Sequence, residues 1–252
     1  MLPESITTDY LFKIILVFCR IGANLMILPG IGEQYVIARA RLLFAITLSI
    51  IVCPIVSMYL PKMPTDVISL FLTLFIEILI GVFLGLVVRI LFSALHVAGM
   101  LITTQSGLGM AIMFDHTQRD QGAVFGTFLS SLAIVMMFLT NMHHLFIEAV
   151  IDSYKLLDYK MLIVDDMLVV IIKAVTSSFE IAIKIASPYI IVSLLILTVS
   201  GVLSRLMPAV QVFFLMTPVQ MLLSFFIFIL TISTSILWYF DYLYSTIVEF
   251  VL

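Results

Sequence analysis

Apolar residues run along this chain in long blocks, roughly Leu11–Pro29, Leu42–Leu60, Val67–Ile102, Ala123–Ile151, Ala174–Leu203 and Phe213–Leu252. A membrane-spanning helix needs about 20 residues, so each block is long enough to span. The pattern predicts an all-α integral membrane protein of about six long, kinked helices. Several blocks are too long for a simple span. Asp66 to Thr104 holds no proline, and as one helix it would run to about 58 Å. Thr217-Pro218 reads as a helix start, an N-cap followed by proline in the first turn. From Val219 to the end a helix would reach about 51 Å, against a hydrocarbon core of about 30 Å. Pro188 is expected to kink or break the fifth block. Two conventional readings compete: Leu91–Thr104 as a separate interfacial helix, and Trp238, Tyr239, Phe240, Tyr242 and Tyr244 as an aromatic belt closing an ordinary span. The excess length favours long helices packed in an assembly.

Composition agrees with the pattern. The 252 residues are 63% hydrophobic and 11% charged, with a mean hydropathy of +1.28, whereas soluble domains carry about 25% charged residues. The net charge of −3 selects no charged partner, and no nucleic-acid motif or basic cluster is present. Cys19 and Cys53 fall inside apolar runs and read as core thiols. The first run carries Lys13 and Arg20 and lacks a small-residue cleavage site, so it does not read as a signal peptide. Each charge at the centre of a spanning helix costs roughly 2.5–3.5 kcal/mol. Lys13 can snorkel, but Arg20 needs a partner. Glu77, Arg89, Glu148, Glu180 and Lys184 pose the same problem, and Glu180 and Lys184 stand four apart in the favourable order for pairing. Basic residues are balanced between alternate loops, so charge assigns no orientation.

The segment from Gln105 to Gly122 is unusual for a loop, because its first half is apolar and rich in glycine and methionine. Gly107 and Gly109 weaken helix continuation, and irregular backbone at membrane depth survives only inside protein or along a cavity. The alternative is a frayed helix end and an ordinary loop. His144, Glu148 and Asp152 recur at helical spacing with His143 adjacent, resembling metal-ligand spacing. A helix end near Asn141 explains them more simply, so no metal is expected. No nucleophile elbow, phosphate loop or zincin motif is present; no catalytic residue, cofactor site or enzymatic activity is expected. Gly81 and Gly85, in register with Glu77, form a small-residue stripe in EILIGVFLG, suited either to a subunit seam or to packing within the chain.

Several motifs, in order, resemble one family across nearly the whole chain. They are Arg20-Ile-Gly, Leu28-Pro-Gly, Arg39-Ala-Arg, Cys53-Pro, Glu77-Ile-Leu-Ile-Gly-Val-Phe-Leu-Gly, and Ala98-Gly through Gln105-Ser-Gly-Leu-Gly-Met-Ala. Then follow Asn141-Met-His-His-Leu, Asp152-Ser-Tyr, Ala186-Ser-Pro, Gly201-Val-Leu-Ser-Arg-Leu-Met-Pro and Val212-Phe. Order and spacing carry the likeness, which is to the FliR family of flagellar and other type III export-gate proteins. The chain departs from the pattern at Ala209-Val210-Gln211, at Met216 where glycine is common, and at His116 where proline often follows the aspartate.

The resemblance implies one FliR-like unit over 1–252, with a FliP-like part over about 1–170 and a FliQ-like helical hairpin over about 171–252. It implies helical assembly with FliP-like and FliQ-like subunits, contact with FlhA-like and FlhB-like components, and a place in the bacterial inner membrane at the flagellar basal body. Unfolded proteins would pass through the resulting pore, driven by energy supplied elsewhere. Gly107–Gly122 matches the family's plug loop, with Gly107, Gly109, Met110, Met113, Phe114 and Asp115 as seal candidates. Flexible, polarizable methionines suit a deformable seal, and an apolar constriction can block ions by dewetting. Arg20, Glu77, Gly81, Gly85, Arg89, Arg205 and Pro208 are the candidate intramembrane charge and assembly positions. The competing reading is a secondary transporter using Arg20, Glu77 and Glu148, although no internal repeat of the usual kind is evident.

Overall fold

A computed structural model describes residues 4–108, 124–156, 164–209 and 211–251. Among these residues all regular structure is helical: α1 (Glu4–Ile27), α2 (Ala38–Val56), α3 (Val67–Gln105), α4 (Val124–Leu139), α5 (Met142–Leu156), α6 (Val164–Leu206) and α7 (Val212–Val251). Five helices are long and apolar enough to cross a membrane, and the bent α4–α5 pair makes a sixth candidate.

The long helices outrun a single span. α3 is one uninterrupted helix of 39 residues, so Leu91–Thr104 is its continuation rather than a separate interfacial element. α6 has 43 residues and runs through Pro188. Proline removes the N–H that would bond the Lys184 carbonyl, and the Ser187 hydroxyl donates to that carbonyl at 2.8 Å instead. A local side-chain donor thus satisfies the carbonyl that proline leaves without its N–H, and the helix continues without a break. α7 begins at Val212, so the expected start at Thr217-Pro218 is corrected: Pro218 lies inside the helix. The turn opens earlier, where the Phe214 amide donates to the Gln211 carbonyl at 3.1 Å, and Pro218, past the first turn, removes the N–H that would bond the Phe214 carbonyl. The fourth block is also divided. Asn141 adopts φ 57°, a left-handed conformation that asparagine tolerates, and α4 and α5 meet there at a bend of 75°.

Packing divides the chain into two compact units, each discontinuous in sequence: 1–90 with 137–174 and 250–252, and 91–136 with 175–249. In the first unit α1 buries Phe12, Leu16, Val17, Ile21 and Leu25 along one stripe, and Arg20 and Asn24 lie within it. α2 buries Ala45, Ser49, Val52, Cys53 and Val56 while Leu43, Ile50, Ile51 and Ile55 face outward. Helices apolar on every side but packed along one stripe are what a bilayer or partner helices require. Both cysteines are free thiols.

The second unit is built on small residues and aromatic rings. α6 buries Ser178, Ala182, Ala186, Ser193 and Ser200 along a stripe that permits close helix approach. The aromatic run of α7 is split: Tyr239 and Phe240 are buried while Trp238 and Tyr244 are partly exposed. The Tyr239 hydroxyl donates to the Leu91 carbonyl at 3.2 Å, so the run is half packing surface rather than a belt. Only 11% of α7's apolar stretch is buried, against 39% for α1.

Candidate functional site

Two polar constructions stand out from the apolar helices. The first lies in the first unit, where α1, α3 and α5 meet. Arg20 is buried, 1% exposed, and so is Glu77. Arg20 Nε donates to Glu77 Oε2 at 2.6 Å, and Nη1 donates to Ser153 Oγ at 2.9 Å. The guanidinium also stacks 3.8 Å from the Tyr154 ring centroid. This planar, delocalised cation suits such mixed contacts better than an ammonium. The other Glu77 oxygen and the Tyr154 hydroxyl are buried without a hydrogen-bond partner among the described residues. Each such group costs about 1–3 kcal/mol, so the cluster fixes which helix faces meet more than it adds net stability.

One turn along α3, the small-residue stripe completes this seam. A Cβ on Gly81 would collide with the Arg20 carbonyl and stand 3.0 Å from Ala23 Cβ; one on Gly85 would stand 3.0 Å from the Asn24 carbonyl. Gly81 and Gly85 therefore pack α3 on α1 within the chain. Arg89, farther along, is half exposed and donates to the Ile27 carbonyl at 3.3 Å, with Glu33 at 3.9 Å. It caps the end of α1, where carbonyls lack helical partners.

The other predicted charges fall elsewhere. Lys13 pairs with Asp9 at 3.6 Å and donates to the Ser57 carbonyl at 3.3 Å. Glu180 and Lys184 pair at 2.6 Å, both more than half exposed. Glu148 is exposed on α5, away from the Arg20 cluster. Asp152 is engaged by Lys155 at 2.7 Å, while His143 stacks between Phe138 and His144. No group of metal-ligating side chains comes together among the described residues. Arg205 occupies the last turn of α6, where a cation suits the helix dipole, and Pro208 follows in the turn that ends the helix. Ser153 and Tyr154 escaped notice as Arg20's partners, although the Asp152-Ser-Tyr motif contained both.

The second construction, in the second unit, lies where the chain leaves α3. Helices α3 and α4 close side by side there: a Cβ on Gly99 would run into the Gly126 backbone, and Ser130 Oγ lies 3.3 Å from His96 Nδ1. The pairs 99/126 and 96/130 run in opposite senses, which makes an antiparallel hairpin. Phe125 and Phe128 of α4 stack on Phe228 of α7 at 4.7 and 5.8 Å. Gln105 ends α3, and Gly107 follows with φ 79°, the left-handed conformation that commonly terminates a helix. Gln220 Nε2 donates to the Gln105 carbonyl at 2.6 Å, and Ser193 Oγ donates to Gln105 Oε1. Of the seal candidates, Gly107 is placed against Thr217 and Gln220. Gly109, Met110, Met113, Phe114 and Asp115 lie outside the described residues.

Comparison with known proteins gives this arrangement its context. The model of the family described as bacterial export proteins, family 1, matches residues 11–246. Flagellar biosynthetic protein FliR of Caulobacter vibrioides is 32% identical over 86% of this chain and 87% of its own. FliR of Bacillus subtilis is 27% identical over 87% and 85%, and FliR of Aquifex aeolicus 28% identical over 91% and 89%. The family match spans both the buried ion-pair seam and the end of α3, and the chain belongs to family 1 of the bacterial export proteins, the family of the FliR proteins.

Proposed function

We propose that the protein is a FliR-type subunit of a flagellar protein-export gate in the bacterial inner membrane. The observation that carries this reading is the similarity to flagellar FliR proteins over most of both chains. Two physical features support it. Helices of 39 to 43 residues exceed a bilayer of about 30 Å by nearly half their length. Phe214, Leu215, Leu222, Phe226, Ile229 and Leu230 of α7 face outward, an apolar face suited to lipid or to a partner helix. FliP-like and FliQ-like subunits are the proposed neighbours, with FlhA-like and FlhB-like components adjoining; about 1–170 corresponds to a FliP-like part and about 171–252 to a FliQ-like hairpin. Gentle detergent extraction followed by mass analysis tests this. FliP-like and FliQ-like chains in one particle are expected, and recovery of this chain alone would overturn the assembly.

Within that gate, the loop from Gly107 to Gly122 acts as the plug. Its glycine and methionine content supports this role, since flexible apolar side chains close a pore without fixing its shape. Replacing Met110, Met113 and Phe114 together by serine is expected to make cells leak small solutes while the complex stays assembled. Unchanged permeability with intact complex would remove the plug role. The transporter reading finds no support in the site, because Arg20 and Glu77 engage one another and Glu148 is exposed elsewhere.

A further inference from the structure

We infer that Gln105 is the positioning residue that sets the direction in which the chain leaves α3 at Gly107, by tying that exit to α6 and α7; the inference rests on the plug reading above. Three observations combine. The Gln105 carbonyl belongs to the last turn of α3, where carbonyls have no helical donor, and Gln220 of α7 supplies one at 2.6 Å. The Gln105 side-chain oxygen accepts from Ser193 of α6, itself 2% exposed. The next residue but one, Gly107, turns to φ 79° against Thr217 and Gln220. Between them, Ser106 is fully buried and closes the helix end, its amide to the Ile102 carbonyl at 2.8 Å and its hydroxyl to the Thr103 carbonyl at 2.8 Å.

The consequence is mechanical. A glutamine held at both its backbone and its side chain fixes the direction of Gly107, and the donors come from two different helices. A displacement of either helix therefore pulls on the loop's first residue. Both bonds are between neutral groups, so they break at modest cost compared with an ion pair. The side chain serves as an acceptor, which Gln105→Leu abolishes, and Ser193 is its donor, whose hydroxyl Ser193→Thr keeps.

Two measurements on the assembled gate test this. Hydrogen exchange over 105–107 should accelerate about five-fold in Gln105→Leu and in Ser193→Ala, the factor carried by one hydrogen bond in a local opening equilibrium. The double variant should add nothing further, because both changes remove the same interaction. Small-solute leakage should rise in the same variants and stay at the original level in Ser193→Thr, which keeps the hydroxyl donor. Unchanged exchange with intact complex overturns the node. Faster exchange without leakage overturns the positioning role, provided that the Met110, Met113 and Phe114 variant leaks. If that variant is also tight, the plug reading falls and the positioning role falls with it.

Discussion

The α1–α3 seam and the base of the proposed plug, at the end of α3, both use polar groups to join helices, yet they are made of opposite materials. At the seam an ionised pair is buried to 1% exposure and backed by glycines that bring backbones into contact. At the loop base the contacts are neutral, from a serine hydroxyl and two glutamines. Removing charge from water is expensive, so a buried pair holds only while both members are present. Neutral bonds exchange with others at little cost. The first arrangement suits a joint that stays closed, and the second suits one that can yield.

Substitutions ordered by expected effect would break or sharpen that contrast. Glu77→Ala leaves Arg20 buried and uncompensated, a loss of about 3–5 kcal/mol, visible as reduced accumulation and a lower Tm of the purified complex. Replacing Arg20 and Glu77 together by methionine should recover most of that loss, since well-packed apolar residues often substitute for a buried pair; no recovery would mean the pair does more than align α1 and α3. Gly81→Val should cost about 1–3 kcal/mol by overpacking against the Arg20 backbone, again read from Tm. Gly107→Ala forces a side chain into the left-handed region at about 1–2 kcal/mol, and its mark should be local exchange at the loop base rather than global melting. Lys184→Ala breaks an exposed pair and should move Tm within error, below about 0.5 kcal/mol.

Much of this was legible along the chain. The α3 block was readable as one helix because no proline or polar run interrupts it, and Glu180–Lys184 was readable because helical spacing alone makes them neighbours. The partner of Arg20 was not, because Glu77, Ser153 and Tyr154 are brought to it by two other helices and lie 57 or more positions away. The beginning of α7 was misjudged for a related reason: Thr217-Pro218 is a strong local start, but a turn at Gln211 opens the helix first. Pro188 does not break α6, and the donor to the carbonyl it leaves free sits one residue before it.

What the sequence by itself determined is the class: long apolar blocks with few charges dictate helices, because lipid leaves every backbone group to be satisfied within its own segment. It also determined family membership, through the order of short motifs. Only the tertiary structure decided how each charge is neutralised, which glycines meet which backbone, and what holds Gln105 at the end of α3. Those are relations between residues far apart in the chain, set by which helix faces pack together, and nearly uniform apolar blocks carry too little pattern to specify the pairing.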